Sequence, residues 1–539
     1  MRPRCRRASR RQMYIGQERP QSGTTRRKYI LRGLLGSPAR LRQYAHDANR
    51  SIRIKQWEPI VSDKRGKFFI GGKWVAPSSD HVIPVTEAAT GLPLGNVPEA
   101  NAQDVDQAVK AAHATTREWA ATSPDFRADL MERFADAVLA RAKEISEMVS
   151  RENGMPLALS LSANPESMSG SLRYYAGLAR SGYADETRQA ISYQGTVLIQ
   201  REPVGVVAVI VPWNYPLGLM GMKIGPALAA GCTVVIKPSP ETSLDAAYLV
   251  EAAHEAGIPL GVINLVTGGR DTGDALVRHP LVDKVAFTGS TAAGRAIGAV
   301  CGAALKPVTL ELGGKSAAII LDDADLSQVM QGLAFLSFVN TGQSCFLNSR
   351  VLAPRSIYSE VVDGLSAVAE KFVIGNPLDP STTMGPLVSA RQRRVVEDYI
   401  AQGRAAGARL VTGGARPKGL DAGWFVQPTI FADVDNSMTI AREEIFGPVV
   451  CVIPFDTEHE AVEIANDSDY GLAGSVWSAD SERALTVARR VQTGTIGLNM
   501  WTLDPGSPFG GWKASGLGKE FGPEGLDAYL NTKSINIPA

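Results

Sequence analysis

The stretch Val204-Gly-Val-Val-Ala-Val-Ile-Val211-Pro-Trp-Asn214-Tyr-Pro216 decides how the chain is read. The apolar run continues to Met222, long enough to resemble a membrane span, but Pro212, Asn214 and Pro216 interrupt it and its first half is rich in valine. It reads as a buried strand entering a loop. From Val204 onward, strand patterns near 204–211, 232–237, 261–267, 284–288 and 316–321 alternate with helix patterns near 218–230, 242–257, 291–303 and 325–340. Valine-rich strands spaced by helices predict parallel sheets covered on both faces, an α/β fold.

Upstream, Phe68-Phe-Ile-Gly-Gly-Lys-Trp-Val75 reads as strand, turn, strand. One helix pattern starts after Asn101 with Val105, Ala108, Val109 and Ala112 on one face. A second runs from about Asp125 to Arg151 and stops before Gly154-Met-Pro156. The segment Tyr193 to Gln200 is short and β-rich. Residues 1–55 are crowded with arginine and carry only Glu18 and Asp47 as acids, so they are expected to form a basic arm outside the globular body. Organelle import through this arm is the lesser alternative to a cytoplasmic protein.

At 539 residues the chain exceeds what one hydrophobic core supports, which predicts at least two domains. Lys and Arg total 56 against 55 for Asp and Glu, so the body carries no basic footprint for nucleic acid. A small-molecule partner is expected, with no nucleic acid and no membrane. Cys5, Cys232, Cys301, Cys345 and Cys451 are scattered without a CxxC or Cys/His cluster, which argues against a disulfide framework and a metal site and suits a reducing cytosol.

The chemistry gathers in three segments. In Phe338-Val-Asn-Thr-Gly-Gln-Ser-Cys345-Phe-Leu-Asn-Ser-Arg350 a thiol follows a Gly-Gln-Ser turn, expected to be flexible, at the end of an apolar helix pattern. A carboxylate stands in Val308-Thr-Leu-Glu311-Leu-Gly-Gly314-Lys-Ser, and an amide in Pro212-Trp-Asn214-Tyr. Together they resemble the aldehyde dehydrogenase superfamily, as do the opening strands, the run Pro508-Phe509-Gly-Gly511-Trp-Lys-Ala-Ser-Gly516-Leu-Gly518-Lys-Glu520 and the ending near Lys533-Ser-Ile-Asn-Ile537. The resemblance spans about 68 to 537.

It implies a Rossmann-type cofactor domain (56–182 and 202–312), an α/β catalytic domain (313–510) and a small β oligomerisation element with the C-terminal segment (183–201 and 511–539). A homodimer or homotetramer is expected. The implied reaction is NAD(P)-dependent oxidation of an aldehyde to the acid: Cys345 as nucleophile, Asn214 and the Cys345 N–H as oxyanion donors, and Glu311 activating the water that hydrolyses a thioester. A coenzyme A-acylating enzyme is the alternative that Glu311 argues against. A binding protein on the same scaffold is the other.

For the cofactor, the resemblance assigns Gly289, Ser290 and Gly294 to the pyrophosphate, Lys237 to the adenosine ribose, and Glu444 and Phe446 of Arg442-Glu-Glu444-Ile-Phe446-Gly-Pro448 to the nicotinamide ribose and ring, with Trp213 beside them. Many NAD-preferring relatives carry a glutamate three residues after the lysine. Here that position is Pro240, followed by Glu241, so NAD is expected with NADP as the alternative. Tyr215, Met222, Phe346 and Trp501 are the implied substrate wall; none bears a charge, which favours an apolar or aromatic aldehyde.

Overall fold

The computed structural model describes residues 66–181 and 185–539, and the arginine-rich arm 1–55 lies outside them. Two sheets organise the body. In the first, five parallel strands run in the order Ile263–Leu265, Thr233–Lys237, Val206–Ile210, Lys284–Thr288, Val308–Glu311. Numbered along the chain this is 3-2-1-4-5, the doubly wound order. Every residue of Val206–Ile210, Thr233–Lys237 and Lys284–Thr288 is buried, which is why the valine runs are continuous rather than alternating. Phe68–Ile70 and Lys73–Val75 add antiparallel strands at one edge, and Gly516–Leu517 adds one at the other.

The strand order reverses between Val206–Ile210 and Lys284–Thr288. Sheets of this kind receive ligands outside the carboxyl ends of the strands at such a reversal. The residues that follow these two strands are Val211-Pro-Trp213-Asn214 and Gly289-Ser290.

The second sheet has seven strands in the order Arg409–Thr412, Thr429–Ala432, Val449–Phe455, Arg350–Pro354, Ala317–Ile320, Gly474–Trp477, Gly497–Leu498, parallel except at its first pair. A third sheet stands apart in character. Leu530–Pro538 pairs along its whole length with Gly195–Pro203, which pairs with Glu186–Gln189, and Ile535 and Ile537 on it face solvent.

Four local expectations change. The pattern from 125 to 151 is two helices, Pro124–Ala140 and Ala142–Asn153, because Arg141 leaves the helical region (φ −105°, ψ 13°). No proline or glycine marks that break. The strand Val308–Glu311 and the helix Arg270–Arg278 carry patterns too short to stand out. Gly516–Leu517, expected with the C-terminal β-element, instead extends the first sheet through Leu310↔Leu517 and Glu311↔Gly516. Among the described residues no helix is long and apolar enough to cross a membrane.

Candidate active site

The cysteine segment is held by backbone geometry rather than left loose. The helix Leu326–Phe338 gives way to Val339–Gly342, where Asn340 (φ 52°), Thr341 (φ 56°) and Gly342 (φ 75°) are all left-handed. A run of such residues costs energy that the surroundings must offset. Asn340 Nδ2 donates to the Asn214 carbonyl (2.9 Å), and Thr341 Oγ1 donates to Gly385 O (3.0 Å). Gly342 presses on the Gly447 backbone, where no side chain would fit. Gln343 is fully buried, its Nε2 donating to Asn340 O (3.1 Å) and its Oε1 accepting from Val388 N (2.9 Å). The expected flexible turn is thus a locked one, because the side chains of Asn340, Thr341 and Gln343 all hold backbone groups.

Asn214 reaches the same segment from the end of the strand Val206–Ile210. Its Nδ2 donates to the Gln343 carbonyl at 3.1 Å, using one of two N–H groups. Glu311 ends the strand Val308–Glu311 and is 3% exposed, and neither of its oxygens has a hydrogen-bond partner among the described residues. Cys345 itself is half-buried.

These groups feel one another. Burial first, then the carboxylate of Glu520, holds the Glu311 carboxyl well above its usual range, against the opposing pull of Lys223 and Lys519. Burial, followed by Glu444 and Glu311, pushes the Cys345 thiol up as well. Both shifts favour the protonated forms of the two groups. Lys223 and Glu520 form an ion pair with both side chains inaccessible, and Lys223 Nζ also donates to Thr288 Oγ1 (2.6 Å).

An apolar, largely aromatic cluster adjoins the thiol. Met222, Phe346, Leu347, Leu472, Phe509 and Phe521 form one cluster against which Tyr215, Cys345 and Trp501 pack. Tyr215 and Phe346 stack with ring centroids 6.5 Å apart, and Trp501 meets Phe346 edge-on at 5.3 Å. The Tyr215 hydroxyl is engaged with Ser344 Oγ at 2.5 Å.

The cofactor candidates sit on several elements. Ser290 caps the helix Thr291–Ala303 by accepting from Ala293 N (3.3 Å), and Gly294 is bare where the helix packs on Leu312. The positive end of that helix follows directly on the strand Lys284–Thr288. Lys237, at the end of its strand, donates to Pro238 O and Gly268 O, each at 2.7 Å, and burial lowers its amine to about 8. Glu241 Oε2 accepts from Ser239 Oγ (2.5 Å), so a carboxylate does stand at this strand end despite Pro240. Glu444 Oε1 accepts the Gly314 N–H at 2.9 Å. A side chain at Gly313 would run into Glu444 Oε2, so that residue must be bare for the carboxylate to settle there. Phe446 is left-handed (φ 55°), its carbonyl held by Gln392 Nε2 (2.9 Å), and its ring meets Trp213 edge-on at 5.2 Å. A helix N-terminus for phosphate, a carboxylate for a diol and an aromatic face for a ring are a donor set that fits a dinucleotide.

Residues 74–535 match the model of the aldehyde dehydrogenase family. The chain belongs to that family. It is 50% identical over 471 residues to a geranial dehydrogenase of Castellaniella defragrans, covering 87% of this chain and 98% of that one. It superposes on the aldehyde dehydrogenase of Mycobacterium tuberculosis in complex with NAD+ with a TM-score of 0.86, 48% identity and coverage of 88% and 98%. An aldehyde dehydrogenase mutant of Pseudomonas syringae, solved with NAD+ and octanal, also gives a TM-score of 0.86, at 39% identity and coverage of 90% and 100%.

This aldehyde dehydrogenase is an oxidoreductase that uses NAD to convert a small aldehyde to its acid. Within the enzyme, sequence reasoning passed over Lys223, Gln343 and the role of Glu520. One signal for Lys223 was available: it is the only charged residue between Glu202 and Lys237. Gln343 and Glu520 carried none, since their importance lies in partners 45 and 297 residues distant.

Proposed function

We propose that Cys345 is the nucleophile of this oxidation, Glu311 its general base and Asn214 the side-chain oxyanion donor. The observation that carries the reading is a half-buried thiol set between an aromatic pocket and a buried carboxyl without a partner. Cys345 gives its proton to water as sulfur bonds to the carbonyl carbon. The oxygen that gains charge is received by the unspent N–H of Asn214 Nδ2 and by the Cys345 backbone N–H, where a donor contributes about 3 to 4 kcal/mol. Bound NAD supplies the hydride acceptor. What remains on Cys345 is an acyl thioester. Glu311, ionised, takes a proton from water while the water oxygen bonds to the acyl carbon; the acid departs as Cys345 leaves with its electron pair and takes that proton from Glu311, which restores both groups.

For the cofactor we assign Gly289, Ser290 and Gly294 to the pyrophosphate, Lys237 to the adenosine ribose, Glu444 to the nicotinamide ribose and Phe446 with Trp213 to the ring. The residues 56–182 and 202–312 form the cofactor domain and 313–510 the catalytic domain. The exposed sheet of Glu186–Gln189, Gly195–Pro203 and Leu530–Pro538 is the contact between subunits of a homodimer or homotetramer. Its outer strand leaves a row of backbone groups open to pairing. A cytoplasmic location accords with the isolated thiols.

The substrate is an apolar or aromatic aldehyde. Tyr215, Met222, Phe346 and Trp501 bring no charge to the pocket, and the Tyr215 hydroxyl is already committed to Ser344. The geranial dehydrogenase similarity points the same way. A panel read by the absorbance of reduced cofactor tests it: hexanal and benzaldehyde should exceed succinate semialdehyde in kcat/KM by on the order of 100-fold. A faster reaction with succinate semialdehyde contradicts the pocket assignment.

A further inference from the structure

The Tyr215 hydroxyl takes no part in the oxidation itself, yet the side chain reaches further than a pocket wall needs to. Tyr215 directly follows Asn214, and both residues extend to the segment that carries the nucleophile. Asn340 Nδ2 donates to Asn214 O at 2.9 Å, and Asn214 Nδ2 donates to Gln343 O at 3.1 Å. One residue further along on each side, the Tyr215 hydroxyl shares a hydrogen bond of 2.5 Å with Ser344 Oγ. Of the three bonds it is the one formed between two side chains, and Ser344 is only 4% exposed, so bulk water does not stand in for the tyrosine. The Tyr215 ring meanwhile lies over Phe346 in an offset stack, with centroids 6.5 Å apart and planes 20° from parallel. Ser344 and Phe346 are the two chain neighbours of Cys345. A single side chain therefore grips the nucleophile from both sides.

We propose that Tyr215 is a positioning residue for the nucleophile: its hydroxyl on Ser344 and its ring on Phe346 fix Cys345 through both neighbouring residues and align the sulfur with the oxyanion donor Asn214. The inference rests on the reading of Cys345 as nucleophile and Asn214 as donor. Attack on a carbonyl needs sulfur and donor on the same small group at once, and a misplacement of about 1 Å can cost roughly 100-fold in rate. Cys345 comes shortly after Asn340, Thr341 and Gly342, three left-handed residues in a row, so no regular element holds its backbone. Tyr215 stands on firmer ground. It lies between the strand Val206–Ile210, every residue of which is buried, and the helix Pro216–Ala230, buried along nearly all its length. Its two contacts lend the fixed position of those elements to the thiol.

The test compares Tyr215→Phe, Ser344→Ala and the two together by the rate of NADH formation in the first turnover, on rapid mixing with hexanal at saturating NAD. Tyr215→Phe keeps the ring and removes only the hydroxyl. Each single change should slow the first turnover about 10-fold and leave KM for hexanal near the wild-type value, because the pocket wall is intact. The double variant should be no slower than the slower single one, since both changes delete the same bond. Alkylation of Cys345 by iodoacetamide passes through no oxyanion, so its rate should stay at the wild-type value in all three. A wild-type first turnover in Tyr215→Phe, losses that multiply in the double variant, or alkylation that slows in step with the first turnover each overturns the proposal. Should Ser344→Ala fail to fold, the first-turnover and alkylation rates of Tyr215→Phe decide alone. Cys345→Ala and Asn214→Ala separate the proposal from the site reading: an undiminished first turnover in either removes that assignment, whereas losses in both alongside a wild-type rate in Tyr215→Phe remove only the role of Tyr215.

Discussion

Glu311 and Asp245 are two buried carboxyls in the same half of the molecule, and neither has a hydrogen-bond partner for either oxygen among the described residues. Burial drives both well above the ordinary carboxylate range, aided at Glu311 by Glu520 and at Asp245 by Glu152. Their surroundings differ. Beside Asp245, Glu152 is spent on the backbone at the start of the helix Ala246–Glu255, accepting from Leu244 N (2.7 Å) and Asp245 N (3.3 Å). Beside Glu311 stand a thiol and, against that thiol, an aromatic cluster. An unpartnered acid is thus no sign of catalysis by itself; the thiol and the apolar cluster beside it are what set the proposed base apart.

Substitutions can break or sharpen that contrast. Cys345→Ala should abolish NADH formation with every aldehyde while leaving NAD binding measurable by calorimetry; residual turnover would place the nucleophile elsewhere. Asn214→Ala should lower kcat by roughly 10²- to 10³-fold, the usual effect of losing one oxyanion donor, with a smaller change in KM. Asp245→Asn should leave kcat near the wild-type value and act on stability alone. A carboxyl raised on folding binds its proton more tightly in the native state, so the wild type loses stability as pH climbs above the unfolded value; the amide has no such loss. The variant should therefore gain on the wild type between pH 5 and pH 8, by roughly 2 °C in melting temperature at the upper end. A fall in kcat with Asp245→Asn would erase the distinction between the two acids.

Much of the fold was legible because the parallel strands are short continuous valine runs, Val206–Ile210 and Thr233–Lys237 among them, and such runs have few other homes. Val308–Glu311 escaped notice since Thr309 and Glu311 interrupt it, although both are buried. The break at Arg141 has no proline or glycine beside it and so leaves no local mark. Of the site, the cysteine, the amide and the two glutamates announced themselves through the motifs around them. The left-handed run at Asn340 and Thr341 did not, because neither residue is one that a left-handed position requires. Tyr215 was written in the motif, but its grip on both neighbours of Cys345 belongs to three dimensions.

The division of labour between Cys345 and Glu311 is tested most directly by rapid mixing of Glu311→Gln with NAD and hexanal. Acylation without deacylation should give a burst of about one NADH per active site, followed by a steady rate reduced by about 10²-fold or more. A steady rate equal to that of the wild type would show that Glu311 does not activate the hydrolytic water.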